Sequence, residues 1–213
     1  MQIKVCGMTK AEQVLQLDEL GVEFAGFIFY PKSPRYVLSH MSMEQLKKLK
    51  GKQINKVGVF VNTPVEELLQ LVDACGLYSV QLHGDENPAY CEQIAQYVKV
   101  VKAFRLREGE DILCKAKDYQ GLAGMFLFDT EGAGYGGTGK KFNWDILKGV
   151  NVNKPFFLSG GIQPEDVVLI KAFDNDTVAK DLFAVDINSK FELAPGIKDM
   201  DKIQTFVKAL KGG

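Results

Sequence analysis

Eight short apolar segments recur along the chain, and most of them end on a polar residue or a glycine. They are rich in Val, Ile and Phe and nearly continuous in apolarity, as is typical of strands buried on both faces of a parallel sheet. The predicted strands are 3–7 (IKVCG), 25–30 (AGFIFY), 56–62 (KVGVFVN), 79–84 (SVQLHG), 100–105 (VVKAFR), 125–129 (MFLFD), 155–161 (PFFLSGG) and 182–188 (LFAVDIN).

Stretches with helical periodicity separate these strands. Residues 10–20 place apolar side chains on roughly one face, and Gly21 follows as a stop signal. Thr63-Pro64 and Asn87-Pro88 each combine a capping residue with a proline suited to a first helical turn. The predicted helices therefore cover 10–20, 42–50, 63–75, 87–97, 108–117, 143–148, 163–173 and 199–210.

The order is strand then helix, eight times, with no linker or shift in composition. Such a pattern favours an α/β fold in which residues 1–213 form one (β/α)8 barrel with a parallel eight-stranded core. An open doubly wound sheet is the competing fold. It usually carries GxGxxG after the first strand, where Cys6-Gly7-Met8-Thr9 stands here, so we favour the barrel.

Composition excludes several classes of function. A net charge of −1 provides no electrostatic basis for binding nucleic acid or an anionic membrane surface. The N-terminal segment does not resemble a signal peptide, and no apolar run approaches the roughly 20 residues needed to span a bilayer. Four cysteines without a CxxC pair, and only two histidines, argue against a metal site or a disulfide framework. We therefore expect no metal and a cytoplasmic location.

Because active groups of a barrel lie at the carboxyl ends of the strands, the residues at these ends are the candidates for catalysis. Cys6 ends the first strand, where a thiolate could act as a base if its pKa falls below the usual value; otherwise it is a small buried apolar residue. Asp129 follows four apolar residues. Partial desolvation there would favour its protonated form and a role as general acid, the alternative being a capping or loop-bracing Asp.

Glycine-rich segments follow the sixth and seventh strands. The first, 130–142, could be a lid or a wall of the site, since it lacks the spacing of a P-loop. Gly160-Gly161 precedes a predicted helix and could offer backbone N–H groups to a phosphate, helped by donors from Asn188 and Ser189 after the eighth strand. A tight turn is the alternative for the two glycines.

Two more candidates could contact a substrate directly. Arg35 lies in a proline-bracketed loop after the second strand and could bind a carboxylate, although a solvated surface arginine fits the local sequence equally well. His83 ends the fourth strand, as a structural histidine or as a wall of the site. Arg105 could close the rim at the fifth strand.

Together these strand ends resemble the phosphoribosylanthranilate isomerase family, the aldose–ketose isomerases of tryptophan biosynthesis. The resemblance covers nearly the whole chain, in six segments that occur in order. These are KVCGMT (4–9), GFIFYPKSPRYV (26–37), VQLHGDE (80–86), FDTEGAGYGGTGKKFNW (128–144), FLSGGIQPEDV (157–167) and VDINSKFELAPGIKD (185–199).

The resemblance implies an Amadori rearrangement of N-(5-phosphoribosyl)anthranilate without cofactor or metal. In that reaction Asp129 would be the general acid that opens the furanose ring, and Cys6 the base that removes the C2 proton. Arg35 would hold the anthranilate carboxylate. His83 and Asp186 would contact the substrate.

At the other end of the substrate, Gly160, Gly161, Asn188 and Ser189 would hold the phosphate. This sequence has Lys190 where the family typically has glycine. The implied partner is a small phosphorylated molecule, and both a monomer and a homodimer remain open.

Two other functions are alternatives for this sequence. A metal-dependent ribulose-phosphate epimerase needs several His and Asp ligands, and only His40 and His83 are available. A non-catalytic barrel that binds a phosphorylated ligand is the second, and the presence of both Cys6 and Asp129 argues against it.

Overall fold

The computed structural model describes residues 1–49, 51–107, 109–130, 144–147, 152–175 and 180–212. Eight parallel strands form a closed barrel in chain order. They are β1 Gln2–Val5, β2 Phe24–Ile28, β3 Asn55–Phe60, β4 Ser79–Leu82, β5 Lys99–Leu106, β6 Met125–Thr130, β7 Phe156–Leu158 and β8 Leu182–Ile187. The predicted barrel is confirmed, and the open sheet is excluded because β1 pairs with both β2 and β8.

Seven α-helices lie within the described residues, and the first six each follow a strand that the sequence pattern predicted. They are α1 Ala11–Glu19, α2 Met43–Lys48, α3 Val65–Cys75, α4 Pro88–Ala95, α5 Ile112–Ala116, α6 Val167–Asp174 and α7 Met200–Lys211. The start of α4 shows the predicted cap, since the Asn87 side chain accepts a hydrogen bond from the Tyr90 N–H. Ser42 and Gln45 form a capping box at the start of α2. The prediction for Thr63 is wrong, because Pro64 is the N-cap of α3 and no side chain caps that helix.

The predicted alternation of strand and helix is wrong at two places. The predicted helix 143–148 is a 3₁₀ turn over Trp144–Leu147 in the part that is described. After β8 the chain forms a 3₁₀ turn, Ser189–Phe191, and then an antiparallel hairpin of β9 Glu192–Ala194 and β10 Ile197–Lys198. Strands of two or three residues are too short to show a periodicity in sequence, so this hairpin was not predicted.

Apolar side chains form two layers. The larger cluster includes side chains from the helices as well as from the strands, and so fills the space between barrel and helices. The smaller is built from strand residues alone, including Val57 of β3 and Phe157 of β7. Residues of strands so far apart around the barrel meet only in its interior. The barrel is therefore filled by side chains, and its carboxyl end lies above this packed layer.

No helix among the described residues is both long and apolar enough to cross a membrane.

Replacing Phe157 with alanine should strongly destabilise the fold. Its ring is 1 % exposed and packs edge-on against Phe24 and Phe183 at centroid distances of 5.6 Å each. Loss of a buried phenylalanine costs about 3–5 kcal/mol of unfolding free energy. Urea unfolding measures this, with Tyr97→Ala as the control, because that ring is 69 % exposed. Equal effects for the two variants would contradict the interior packing.

Candidate active site

A cavity opens at the carboxyl end of the barrel. All nine residues predicted for the site line it, and they come from the ends of β1, β4, β6, β7 and β8 and from the loop after β2. They are Cys6, Arg35, His83, Asp129, Gly160, Gly161, Asp186, Asn188 and Ser189. The strand ends thus bring together residues that lie up to 183 positions apart in sequence.

Cys6 lies one residue beyond β1 and is 5 % exposed. Its N–H donates to the carbonyl of Ile187, which holds the residue against β8. Burial raises the pKa of the thiol above its ordinary value, and the nearby Lys4 ammonium opposes that shift without cancelling it. A thiolate base at this position requires a lower pKa, and the protein without ligand does not meet that condition.

Lys4 and Asp186 form a buried ion pair next to Cys6. The Lys4 ammonium donates to Asp186 Oδ2 at 2.8 Å, and the Lys4 residue is 1 % exposed. Lys4 was missed in the sequence, although a lysine between Ile3 and Val5 in a buried strand was a usable signal. Among the described residues, Asp186 Oδ1 has no hydrogen-bond partner, and the side chain lines the cavity.

Asp129 is the next-to-last residue of β6, on another side of the cavity, and is 7 % exposed. Its Oδ2 lies 3.5 Å from Nε2 of His83. Nδ1 of His83 lies 2.7 Å from the amide nitrogen of Gln81, two residues earlier in the chain. In this arrangement the amide donates to Nδ1, and Nε2 carries the hydrogen that faces Asp129. His83 is therefore a wall of the site and lies beside the carboxyl group of Asp129.

Arg35 is held by Glu192, a residue of the unpredicted hairpin. The guanidinium Nε lies 2.9 Å from Oε1 of Glu192, and Nη2 lies 2.6 Å from Oε2. This fork-on-fork pair fixes the plane of the guanidinium at the cavity wall. Arg35 is thus not the solvated surface arginine that its local sequence equally allowed.

Glu192 also binds Lys198, so one carboxylate serves two cations. The Lys198 ammonium lies 2.7 Å from Glu192 Oε1 and donates to Asn188 Oδ1 at 2.9 Å. Burial lowers the pKa of Lys198, and Glu192 counteracts that shift. The group therefore leaves one excess positive charge beside Asn188, which favours an anion. Neither Glu192 nor Lys198 stood out in the sequence, since their partners come from distant segments.

Gly160 and Gly161 both adopt left-handed backbone conformations, with φ of 95° and 66°. Only glycine adopts this conformation at little cost, and successive N–H groups in such turns can form an anion-binding concavity. The helix that we expected to begin near Gln163 starts as a 3₁₀ turn, and α6 proper begins at Val167. An anion here would therefore rely on the two glycines more than on the end of the helix.

Other predicted features lie elsewhere. The glycine-rich segment 130–142 falls outside the described residues except for Thr130. Arg105 does not line the cavity; its Nη2 lies 2.7 Å from Asp85 in a separate depression. Lys190, by contrast, does line the cavity beside Ser189. In the described part of the chain, no group of three or more His, Cys, Asp or Glu side chains is arranged to hold a metal ion.

The fold and this site define a class of protein. It is a (β/α)8 barrel whose carboxyl-end cavity combines a thiol, a carboxyl group and cationic side chains, as acid–base chemistry on a small anionic molecule requires.

Comparison with known proteins identifies the family. A family model described as N-(5′-phosphoribosyl)anthranilate (PRA) isomerase matches residues 3–209. The N-(5′-phosphoribosyl)anthranilate isomerase of Phocaeicola vulgatus is 41 % identical to this chain over 212 residues, covering 99 % of this chain and 98 % of that protein. The chain therefore belongs to the phosphoribosylanthranilate isomerase family.

Solved structures agree with this assignment. The phosphoribosyl anthranilate isomerase of Thermotoga maritima is 35 % identical, with a TM-score of 0.84 and complete coverage of both chains. A further isomerase structure of this kind, 32 % identical with a TM-score of 0.80 and complete coverage of both chains, holds reduced 1-(o-carboxyphenylamino)-1-deoxyribulose 5-phosphate. The T. maritima enzyme is elsewhere described as dimeric.

Replacing Glu192 with glutamine should flatten the dependence of stability on acid pH. Burial works against its ionised form, but Arg35 and Lys198 outweigh burial and lower the pKa of Glu192 below its ordinary value of 4.5. A carboxyl group whose pKa is lower in the folded state stabilises the fold above the unfolded pKa. That contribution disappears as the pH falls through the folded pKa.

The measurement is the free energy of unfolding in urea at pH 6 and pH 3. We expect the variant to be less stable than wild type at pH 6 and to lose less stability than wild type on acidification. Glu44→Gln is the control, because its pair with Lys48 is exposed and should change stability by no more than about 0.5 kcal/mol. Equal losses for wild type and Glu192→Gln would refute the assigned network.

Proposed function

We propose that this protein converts N-(5-phosphoribosyl)anthranilate into 1-(2-carboxyphenylamino)-1-deoxy-D-ribulose 5-phosphate, the aldose–ketose isomerisation of tryptophan biosynthesis. The observation that carries the proposal is the position of Cys6 and Asp129. They end β1 and β6, which lie well apart around the barrel, and both face one cavity. Family membership supports the same reaction, as does the ligand of the related structure.

The two anionic ends of this substrate match two parts of the cavity. We assign the anthranilate carboxylate to Arg35, whose guanidinium is held in place by Glu192. We assign the phosphate to the N–H groups of Gly160 and Gly161 together with Asn188 and Ser189. The excess positive charge of the Glu192 network, supplied by Arg35 and Lys198, favours a ligand with this much negative charge.

Ring opening is the first chemical step. Asp129, in its protonated form, donates a proton to the furanose ring oxygen as the bond between that oxygen and C1 breaks. The nitrogen lone pair forms the C1–N double bond, giving a protonated Schiff base. The hydrogen on His83 Nε2 faces the carboxylate that remains on Asp129 and stabilises it.

Proton removal is the second step. The thiolate of Cys6 takes the C2 proton, and the electrons of the C–H bond form the double bond of an enolamine. Tautomerisation of the enolamine places a proton on C1 and leaves the ketone at C2. The starting form holds one proton between the two groups, on Asp129, and the final form holds one proton on Cys6. Return of this proton to Asp129 completes the cycle with no net change.

The rival functions fare less well. A metal-dependent epimerase would be supported by a group of side chains arranged to bind a metal ion. The described residues contain no such group. A binding protein would not need a thiol and a carboxyl group on separate sides of one cavity. One domain over residues 1–213, a cytoplasmic location, the absence of a cofactor and the state of monomer or homodimer remain predictions.

Removing either reacting group should abolish most of the turnover. Cys6→Ala and Asp129→Asn should each reduce kcat by at least about a hundredfold, because one positioned acid or base contributes about 10²–10⁴-fold. The assay is loss of substrate fluorescence, with phosphoribosylanthranilate generated in situ. Cys75→Ala is the control for Cys6→Ala, since Cys75 is equally buried but lies at the end of α3. A kcat within threefold of wild type would exclude the assigned role.

Replacing Arg35 with alanine should weaken binding more than chemistry. We expect KM to rise about tenfold or more with a smaller change in kcat, since hydrogen bonds to a charged group contribute about 1.5–3 kcal/mol. The same fluorescence assay yields both constants. Arg105→Ala is the control, because Arg105 pairs with Asp85 outside the cavity. If KM and the affinity for a product analogue stay unchanged in Arg35→Ala, the carboxylate does not bind there.

A further inference from the structure

Lys4 is a buried cation that the proposed steps do not use. It lies in the middle of β1, between Ile3 and Val5. Its ammonium pairs with Asp186 at 2.8 Å, with side-chain exposures of 1 % and 6 %. Burying an ammonium group costs desolvation free energy unless its partners are well placed. The groups around Lys4 therefore determine its role.

The strand register explains why Lys4, Asp186 and Cys6 meet. Lys4 is paired with Asp186 across the closure of β1 against β8. Side chains alternate along a strand, so Cys6, two residues after Lys4, lies on the same face one step nearer the cavity. The pair is therefore directly beneath the sulfur.

Gly26 of β2 supplies the space for this arrangement. A Cβ atom at that position would lie 2.9 Å from the sulfur of Cys6 and 3.2 Å from Cε of Lys4. Both side chains thus converge on the volume that a larger residue would occupy. The lysine stem and the sulfur are neighbours because β2 has no side chain there.

One ammonium consequently faces two groups that can be anionic. Lys4 favours the thiolate of Cys6, whereas Asp186 disfavours it. Lys198 acts on the sulfur in the same sense as Lys4, and Arg35 is a further cation near it. Burial raises the pKa of Asp186 above its ordinary value, and Lys4 opposes that shift; across the cavity, Asp129 and His83 act on Asp186 with opposite signs. Among these groups only Lys4 contacts Asp186 and lies against Cys6.

We propose that Lys4 is a positioning residue that provides the counter-charge of the Cys6 thiolate, and that Asp186 competes with the sulfur for it. Asp186 Oδ1 lacks a partner among the described residues and belongs to a side chain of the cavity wall. A hydroxyl of a bound substrate that donates to the Asp186 carboxylate where the residue lines the cavity would offset part of the carboxylate charge. Lys4 would then support the thiolate, so that the base is formed when the cavity is occupied. The proton that leaves the sulfur is the one that returns to Asp129 in the proposed cycle and that Asp129 holds before ring opening.

The catalytic part of this inference rests on the proposed function, but the competition for Lys4 can be measured without substrate. The test uses Asp186→Asn and the double variant Lys4→Met/Asp186→Asn. The readouts are the rate of iodoacetamide modification at Cys6, followed by peptide mass spectrometry, and the ultraviolet absorbance of the thiolate from pH 6 to pH 10.

Asp186→Asn should increase the modification rate of Cys6 at pH 7 by about tenfold or more. The variant removes a negative charge near the sulfur and leaves Lys4 without its carboxylate partner. A change of this kind lowers the pKa of the Cys6 thiol by about one to three pH units. Adding Lys4→Met should reverse the increase. Equal rates for the single and the double variant would overturn the proposal, since Lys4 would then have no influence on the sulfur.

Lys102 and Glu86 provide a matched control. They form a second buried pair, at 2.7 Å with side-chain exposures of 4 % and 1 %, at β5 and the β4 end. The double variant Lys102→Met/Glu86→Gln removes an equivalent pair and should leave the Cys6 titration unchanged. A shift as large as that caused by Lys4→Met would indicate general loosening of the barrel and would also overturn the proposal.

A second measurement covers the case in which circular dichroism shows that Asp186→Asn does not fold. Lys4→Met alone should then lower the modification rate of Cys6 at pH 8 by about tenfold or more, because the thiolate loses its opposite charge. An unchanged rate contradicts the proposal. Activity is measured separately. If Cys6→Ala retains turnover, Cys6 is not the base of the reaction. The modification rates still show whether Lys4 controls the thiolate.

Discussion

Closure of the barrel by pairing of β1 with β8 is the interaction on which the rest of the structure depends. It places Lys4 opposite Asp186 and ties Cys6 to Ile187, although these partners are separated by almost the entire chain. It also brings the other strand ends into one ring. Without closure, the thiol and the carboxyl group would lie five strands apart in an open sheet, and no common cavity would exist.

Closure creates an electrostatic problem, because several cations are buried near its carboxyl end. Each of these cations, Lys4, Lys102 and Lys198, has one carboxylate within hydrogen-bonding distance. Breaking one such pair leaves an uncompensated charge, which costs more than the pair contributes. The same pairs orient functional side chains, since Glu192 fixes Arg35 and Lys198 fixes Asn188. Stability and positioning at this site therefore have the same physical origin.

The protonation state of the site follows from its burial. A thiol held in a nearly dry position resists ionisation, because burial raises the pKa of Cys6. The proposed reaction needs the thiolate of Cys6, so the groups around the sulfur have to offset the effect of burial.

The sequence alone determined the strand order, the barrel and the residues at the strand ends, because buried parallel strands and helix caps leave local patterns. The nine residues assigned to catalysis or to substrate and phosphate binding reached the cavity for that reason, whereas Arg105 did not. What only the tertiary structure decided were the pairings between distant segments: Lys4 with Asp186, and Glu192 with Arg35 and Lys198. Such pairs fix the orientation of Arg35, and they modify the pKa of Cys6, which burial raises. Their energies depend on burial and on distances of a few ångströms, which no local pattern of residue types records.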